Sequence, residues 1–190
     1  EFHDLEFESS MKNASTSSTA VQVVFVASSA GTLLQVNYSN RQVLGLLRLH
    51  ESAITCVVAT EGYVVTGAMD GLLRLWPLDF SDYLMQAQHD SRVASVAVSN
   101  DDLKLAVSTG SGTLGILDVK SHAYSTCIRS HKTGVVATAE ASHCDQFATA
   151  GKDGTIRVWE IQSGRQRYEF TASADPPSAL AYHPCEQKHY

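Results

Sequence analysis

Cysteine, proline, basic charge and long apolar runs are all scarce in this chain, and each scarcity removes a class of protein. Its 190 residues hold four cysteines, at Cys56, Cys127, Cys144 and Cys185, with no CxxC pair among them. Spacing this wide and irregular argues against a disulfide-framed domain and for free thiols in a reducing compartment. On that reading the sequons at Asn13 and Asn37 carry no sugar, and the chain reads as cytosolic. Lys and Arg number 14 against 20 Asp and Glu, a formal net charge of −6. No global basic field would therefore draw nucleic acid. The longest apolar stretches, such as Val21–Ala27, are far too short to span a bilayer, and no signal-peptide pattern opens the chain. No membrane partner is expected. With 44% hydrophobic and 18% charged residues, the chain has the balance of a packed domain rather than a disordered tail.

What is present is a repeat. Four segments align on a glycine: ASSAGTLLQVN, TGAMDGLLRLWPLD, STGSGTLGILDV and TAGKDGTIRVWEI. Their glycines, Gly31, Gly71, Gly112 and Gly154, follow at intervals of 40, 41 and 42 residues. Each unit repeats one order of runs. An alternating apolar run comes first (Ala53–Ala59, Val93–Ser99, Val135–Ala141). After a polar turn comes a run ending in small residues (Tyr63–Gly67, Leu103–Ser108, Gln146–Gly151). A glycine turn leads to a third run (Leu72–Leu78, Thr113–Val119, Thr155–Ile161). A more polar fourth run closes the unit (Tyr83–Gln88, Tyr124–Arg129, Gln166–Phe170). Alternation over short runs bounded by Asp, Gly, Ser and Asn is the strand-and-hairpin pattern. The helical stripe of period 3.6 is missing throughout. The expected fold is all-β.

The segments AMDGLLRLWPLD and GKDGTIRVWEI resemble the tryptophan hairpin of the WD40 family, and with the steady period the resemblance covers nearly the whole chain. It implies a β-propeller whose blades are four-stranded antiparallel sheets, each pinned by a His–Ser/Thr–Asp–Trp hydrogen-bond network. Repeat two supplies His50, Thr66, Asp70 and Trp76 at the matching places, and repeat four supplies His131, Thr149, Asp153 and Trp159. The residue types suit that use, because an indole N–H must find an acceptor and a Thr hydroxyl both donates and accepts. A buried group left unpaired costs on the order of 1–3 kcal/mol. Repeat three keeps His89 but has Ser111 and Leu117 where Asp and Trp would stand. Repeat one has Ala30 and Val36. These two blades are expected to rely on apolar packing alone.

The implied architecture is four blades plus a partial fifth in an incomplete ring, with approximate limits 1–48, 49–88, 89–130, 131–170 and 171–190. HDLEFESS would form the innermost strand of the first blade, followed by a Ser/Thr-rich loop, Asn13–Thr19, and a second strand at Gln22–Ser28. Ser178–Tyr182 would open the fifth. Closed propellers mostly carry about four to eight blades, and the resemblance implies a ring wider than four, so the chain reads as a piece of a larger propeller protein. Self-association of two copies into one ring is the lesser alternative.

No enzyme is expected. Gly110-Ser-Gly112-Thr-Leu-Gly115 fits G-x-G-x-x-G, but a dinucleotide site needs a helix after the loop and here a strand follows. AGKDGT lacks the spacing of a phosphate loop. No G-x-S-x-G elbow surrounds any serine, and Asp101-Asp102 falls in a turn. His143-Cys144 and His183-x-Cys185 occupy corresponding turns of successive blades and could supply the four ligands of a zinc site, but they read as ordinary surface turns, so neither metal nor cofactor is expected.

The function implied by the resemblance is a protein-interaction scaffold. In the family arrangement, the loops before strand one and the turns between strands two and three share an upper face. Here that face holds Glu51, Ser52, Met69, Asp90, Arg92, Ser111, Lys132 and Lys152, mixed in sign, with Arg92 and Met69 suited to anchoring a partner. A finer resemblance lies in LHESAI, VVFVASSAGTLLQVNY and GLLRLWPLDFSDYLMQAQH, where Pro77 replaces the usual Asp after Trp. These segments resemble the WD40 region of large centriolar and ciliary microtubule-associated proteins, which implies tubulin or centriolar partners. The alternative is a substrate receptor or adaptor of another complex, such as a ubiquitin ligase.

Overall fold

The structure, a computed structural model, describes residues 23–127, 130–141, 145–171 and 175–183. The expected innermost strand in HDLEFESS, the Asn13–Thr19 loop, and the residues His143, Cys144 and Cys185 lie outside that set.

The described residues form strands and no helix. β1 (Val23–Ala27), β2 (Thr32–Asn37) and β3 (Gln42–Arg48) make the first sheet. β4 (Ile54–Ala59), β5 (Tyr63–Ala68), β6 (Leu72–Pro77) and β7 (Met85–Gln88) make the second. β8 (Val93–Val98), β9 (Lys104–Thr109), β10 (Leu114–Asp118) and β11 (Ala123–Cys127) make the third. β12 (Val135–Glu140), β13 (Gln146–Gly151), β14 (Thr155–Glu160) and β15 (Gln166–Thr171) make the fourth. Neighbouring strands are antiparallel throughout, in chain order. The same irregularity recurs near the start of each leading strand, between Ile54 and Cys56, Val93 and Ser95, and Val135 and Ala137. Trp76 sits opposite Val64 and Trp159 opposite Phe147, each at the fifth position of its sheet's third strand.

The leading strands of the second, third and fourth sheets face one another, β4 with β8 and β8 with β12, and β4 also meets β1, the second strand of the first blade. The sheets thus follow one another around an arc that they do not close. Each seam has its own core. Leu33 and Phe25 of the first sheet meet Ile54, Val64 and Trp76 of the second. Val65, Leu73 and Leu75 meet Val96, Leu105 and Val107 of the third. Ala106 and Ile116 meet Phe147 and Trp159 of the fourth. Fully burying one such side chain stabilises by roughly 1.5–3 kcal/mol, so these seams hold the arc together. Polar bonds cross at the inner edge too: Thr55 Oγ1 donates to the Val93 carbonyl at 2.6 Å, and the hydroxyls of Ser108 and Thr138 lie 3.0 Å apart.

The glycines of the repeat stand between the second and third strands. Gly71 and Gly112 have φ of +83° and +88°, a region where side chains are strained. A Cβ on Gly71 would lie 2.6 Å from the His89 carbonyl oxygen, and one on Gly112 would lie 2.5 Å from that of Thr133. The hairpin turn at Gly110–Gly112 joins β9 to β10, so the G-x-G-x-x-G match leads into a strand.

Two expectations need correction. The run Tyr83–Gln88 forms a strand only from Met85, because Asp79, Ser81 and Asp82 cap local turns and Tyr83 leaves the ladder to set its ring edge-on to Trp76 at 5.8 Å. Ser178–Tyr182 is not a strand. Its alternation is strand-like, but among the described residues no neighbouring strand pairs with it, and an isolated strand is not stable in water.

Candidate functional site

In the fourth sheet the side-chain network is complete. Trp159 Nε1 donates to Thr149 Oγ1 at 2.9 Å, and that hydroxyl lies 2.8 Å from His131 Nε2. His131 Nδ1 lies 3.1 Å from Asp153 Oδ1 and 3.0 Å from Thr155 Oγ1. A neutral imidazole has one donor and one acceptor nitrogen. With a carboxylate at Nδ1, the proton belongs there, and Nε2 accepts from the threonine hydroxyl. The hydrogens then all run one way, from indole to carboxylate. Burial lowers the His131 pKa against the opposing pull of Asp153, which keeps the ring neutral. Burial alone would raise the Asp153 carboxyl. The Thr155 hydroxyl and the N–H groups of Lys132, Thr155 and His131 outweigh it and hold Asp153 well below the usual carboxylate range.

The second sheet builds only part of this set. His50 Nε2 lies 2.7 Å from Thr66 Oγ1, which accepts from Trp76 Nε1 at 2.9 Å. Asp70 does not join them. Its Oδ1 accepts from the Leu72 N–H at 3.0 Å, and His50 Nδ1 has no hydrogen-bond partner among the described residues. The difference lies two residues after the aspartate, where Leu72 occupies the place of Thr155. The Thr155 hydroxyl bonds both ring and carboxylate beside their direct contact, and Leu72 offers neither bond. Burial, with Arg74 nearby and Asp70 in partial opposition, pushes the His50 pKa down to about 4.

The third sheet does not rely on apolar packing alone, as its missing Asp and Trp would suggest. Val107 and Leu117 replace Thr and Trp, and both are buried. His89 turns instead to the next strand pair, where its Nε2 lies 2.5 Å from Tyr124 Oη, while its Nδ1 lies 2.9 Å from the Gly71 carbonyl. Gly115 makes room, since a Cβ there would fall 1.8 Å from Tyr124 Oη. The corresponding positions in the second and fourth sheets carry Arg74 and Arg157. Ser111 lies 3.0 Å from Thr109 Oγ1 and 3.1 Å from Ser91 Oγ, so hydroxyls occupy the aspartate's place. A glycine inside β10, diagonal to a tyrosine on β11 (Gly115 pairs with Thr126, two residues past Tyr124), is the sequence signal that points to this substitute. In the first sheet Ala30 and Val36 make no such polar set, though Ser28 and Thr32 hydroxyls pair at 2.6 Å nearby.

These networks end at the upper face. The Lys132 N–H donates to Asp153 Oδ2 at 2.9 Å, and the Lys152 N–H donates to the Gly134 carbonyl at 3.0 Å, so both lysines project from fixed backbone. Their side chains are exposed, as are Glu51, Asp90 and Arg92. Asp90 Oδ1 lies 3.4 Å from Ser111 Oγ. Met69 is 51% exposed. Met69 and Arg92 share a recess of about 280 Å³ with Ser28, Ser29, Ala53 and Thr55, between the first and second sheets. The recess pairs a soft apolar side chain with a guanidinium on a rigid base, which suits holding a partner side chain. Among the described residues no three His, Cys, Asp or Glu are grouped to hold a metal ion, and no helix is long and apolar enough to cross a membrane.

Comparison with known proteins agrees with this geometry. The family "WD domain, G-beta repeat" matches residues 41–77 and 122–160, and each matched span includes one of the two tryptophan strands. "Centriole proteome protein 16" of Chlamydomonas reinhardtii is 50% identical over 57% of this chain and 5% of its own length. "WD repeat-containing protein 90" of Homo sapiens is 34% identical over 97% of this chain and 12% of its own length. The chain therefore spans a small part of the curated relatives it matches. Among solved structures, the computationally designed Ika8 protein superposes with a TM-score of 0.74 at 23% identity, over 85% of this chain and 50% of that one. A chain of the Mitotic Checkpoint Complex superposes with a TM-score of 0.72 at 20% identity, over 80% of this chain and 48% of that one. Residues 41–77 and 122–160 of this chain are WD40 repeats, and its sheets are built as blades of a β-propeller.

Proposed function

We propose that the chain is one stretch of a larger, non-enzymatic WD40 scaffold at the centriole or cilium, binding protein partners of the microtubule wall through its upper face. The observation that carries this reading is the 50% identity to a protein named for the centriole proteome, over more than half of the chain. The likeness to WD repeat-containing protein 90 runs over nearly all of it. The upper face supports the second half of the reading. Partner recognition in such folds falls to loops held on a rigid frame, and here the networks fix the backbone from which Lys132 and Lys152 project. Met69 and Arg92 are the proposed anchors, with Glu51, Asp90, Lys132 and Lys152 around them.

The test uses the full-length parent protein, tagged and imaged at centrioles, beside a Met69→Ser/Arg92→Glu double variant. The expected result is centriolar signal for the parent and a several-fold loss for the variant at equal abundance. Absence of the parent from centrioles, with pull-down of another complex's subunits, would replace this reading with an adaptor role. Unchanged signal from the variant would move the binding surface away from the recess. Co-sedimentation with microtubules then separates direct tubulin binding from binding to other wall proteins.

A further inference from the structure

The turns at the opposite, lower edge have a different chemistry. Contacts knit them into one surface. Phe80, in the β6–β7 connection, has its ring 6.0 Å from that of Phe25 in the first sheet. The Tyr63 hydroxyl, at the start of β5, donates to the Asp102 carbonyl in the β8–β9 turn at 2.6 Å. Lys104 Nζ donates to the Gln162 carbonyl in the β14–β15 turn at 2.8 Å.

On the second and third sheets, turns 60–62, 78–84, 99–103 and 119–122 hold Glu61, Asp79, Asp82, Asp101 and Asp102 against Lys120 and His122. Arg41 and Arg165 stand toward the two ends of the arc, so the acidity is concentrated at its middle. The upper face, by contrast, sets Glu51, Asp70 and Asp90 against Arg92, Lys132 and Lys152. Local bonds keep the lower carboxylates ionised. The Ser81 N–H and hydroxyl hold Asp79 below its ordinary range, and the Ser99 hydroxyl and Leu103 N–H do the same for Asp101.

Apolar side chains lie exposed among these charges. Leu78, Leu84 and Leu103 are 51%, 55% and 44% exposed. Leu78 and Leu103 flank one point: Tyr63 pairs with Pro77, the neighbour of Leu78, and bonds to Asp102, the neighbour of Leu103. Charge and exposed leucine are separate observations that point to the same kind of ligand.

We propose that the lower face of the second and third sheets docks a Lys- and Arg-rich protein segment, whose apolar side chains rest on Leu78, Leu84 and Leu103. The acidic field repels nucleic-acid phosphates and anionic lipid, which leaves protein as the partner class. The inference is independent of the centriolar reading, because it uses only the charge and exposure of this face.

The test is fluorescence anisotropy of the chain with a labelled synthetic peptide of Lys-Leu-Lys-Ser repeats, beside a peptide with serine in place of every leucine. Two charge-reversed forms carry the same change in net charge: Glu61→Lys/Asp82→Lys below and Glu51→Lys/Asp90→Lys above. The lower reversal should weaken binding on the order of tenfold, since each exposed charge contact contributes little on its own. The upper reversal and the wild type should bind alike, and the leucine-free peptide should bind several-fold less. Leu78→Ser, whose side chain is already exposed, should weaken only the leucine-bearing peptide. Thermal melts of each variant register any loss of folding. Equal weakening by both reversals would reduce the effect to net charge and overturn the proposal. Equal binding of the two peptides, or no binding at all, would overturn it as well.

Discussion

Replacing Thr149 with valine tests the network most directly, because one hydroxyl serves two buried partners. The substitution keeps the shape of the side chain and removes the oxygen that accepts from Trp159 Nε1 at 2.9 Å and lies 2.8 Å from His131 Nε2. Thr149 is fully buried, and His131 is 1% exposed, so water cannot replace what is lost. A buried group left without its partner costs about 1–3 kcal/mol. Two such groups, allowing for partial relaxation, give a loss on the order of 2–4 kcal/mol. For a domain of this size that corresponds to a fall in melting temperature of roughly 5–15 °C. Urea unfolding followed by tryptophan fluorescence is the assay, with Thr149→Ser as the control that keeps the hydroxyl. If valine and serine at this position differ by less than ~0.5 kcal/mol, the hydroxyl holds nothing and the network account of the fourth sheet fails.

The second sheet offers the reverse experiment. Leu72→Thr places a hydroxyl where Thr155 stands in the fourth sheet, and should bring His50 Nδ1 a partner, with a gain of about 0.5–1.5 kcal/mol by urea titration; a net loss would mean that Leu72 contributes more by packing. In the third sheet, Gly115→Ala should displace the Tyr124 hydroxyl and cost roughly 1–3 kcal/mol, while Tyr124→Phe should cost about 1 kcal/mol. Combining them should cost less than the sum, and strict additivity would separate glycine from tyrosine. Asp153→Ala removes the acceptor of four donors and should lower the melting temperature more than Ser111→Ala, with equal shifts counting against the network. Stability should also fall on acidification. His50 titrates near 6.5 when unfolded and at about 4 when folded, so the unfolded state binds the extra proton between those values. The loss begins below pH 6.5, grows by up to ~1.4 kcal/mol per pH unit, and levels off below about 4. His50→Gln should flatten that slope.

How much of this was legible in the sequence depended on how far apart the cooperating residues lie. The repeat, the strands and the equivalence of Trp76 with Trp159 were readable, because each glycine turn and each alternating run carries its signal within a few residues. The fourth sheet's four named side chains could be placed because the resemblance to WD40 repeats implied the pattern that they fill. The separation of Asp70 from His50 could not be read from those four positions, since it turns on Leu72, which the pattern leaves free. The His89–Tyr124 bond was further from view. It joins residues 35 positions apart and exists only because Gly115 leaves space on the strand between. Ser178–Tyr182 shows the opposite failure: its alternation is genuine, but pairing is a property of two strands and only one was in the reading. Exposure on the lower face was equally hidden, because Leu78 and Leu103 look like core residues until the turns that hold them are placed.

The glycine at each turn has a consequence beyond its own hairpin. The Gly71 carbonyl receives the His89 N–H and the Gly112 carbonyl receives those of Ser130 and His131, so each hairpin tip grips the lead-in to the following blade. The tip therefore behaves as a hinge pin between modules, and its bulk helps to set the angle at which one blade follows another. Enlarging it would change the curvature of the whole assembly, and with it the spacing at which partners around the rim are presented.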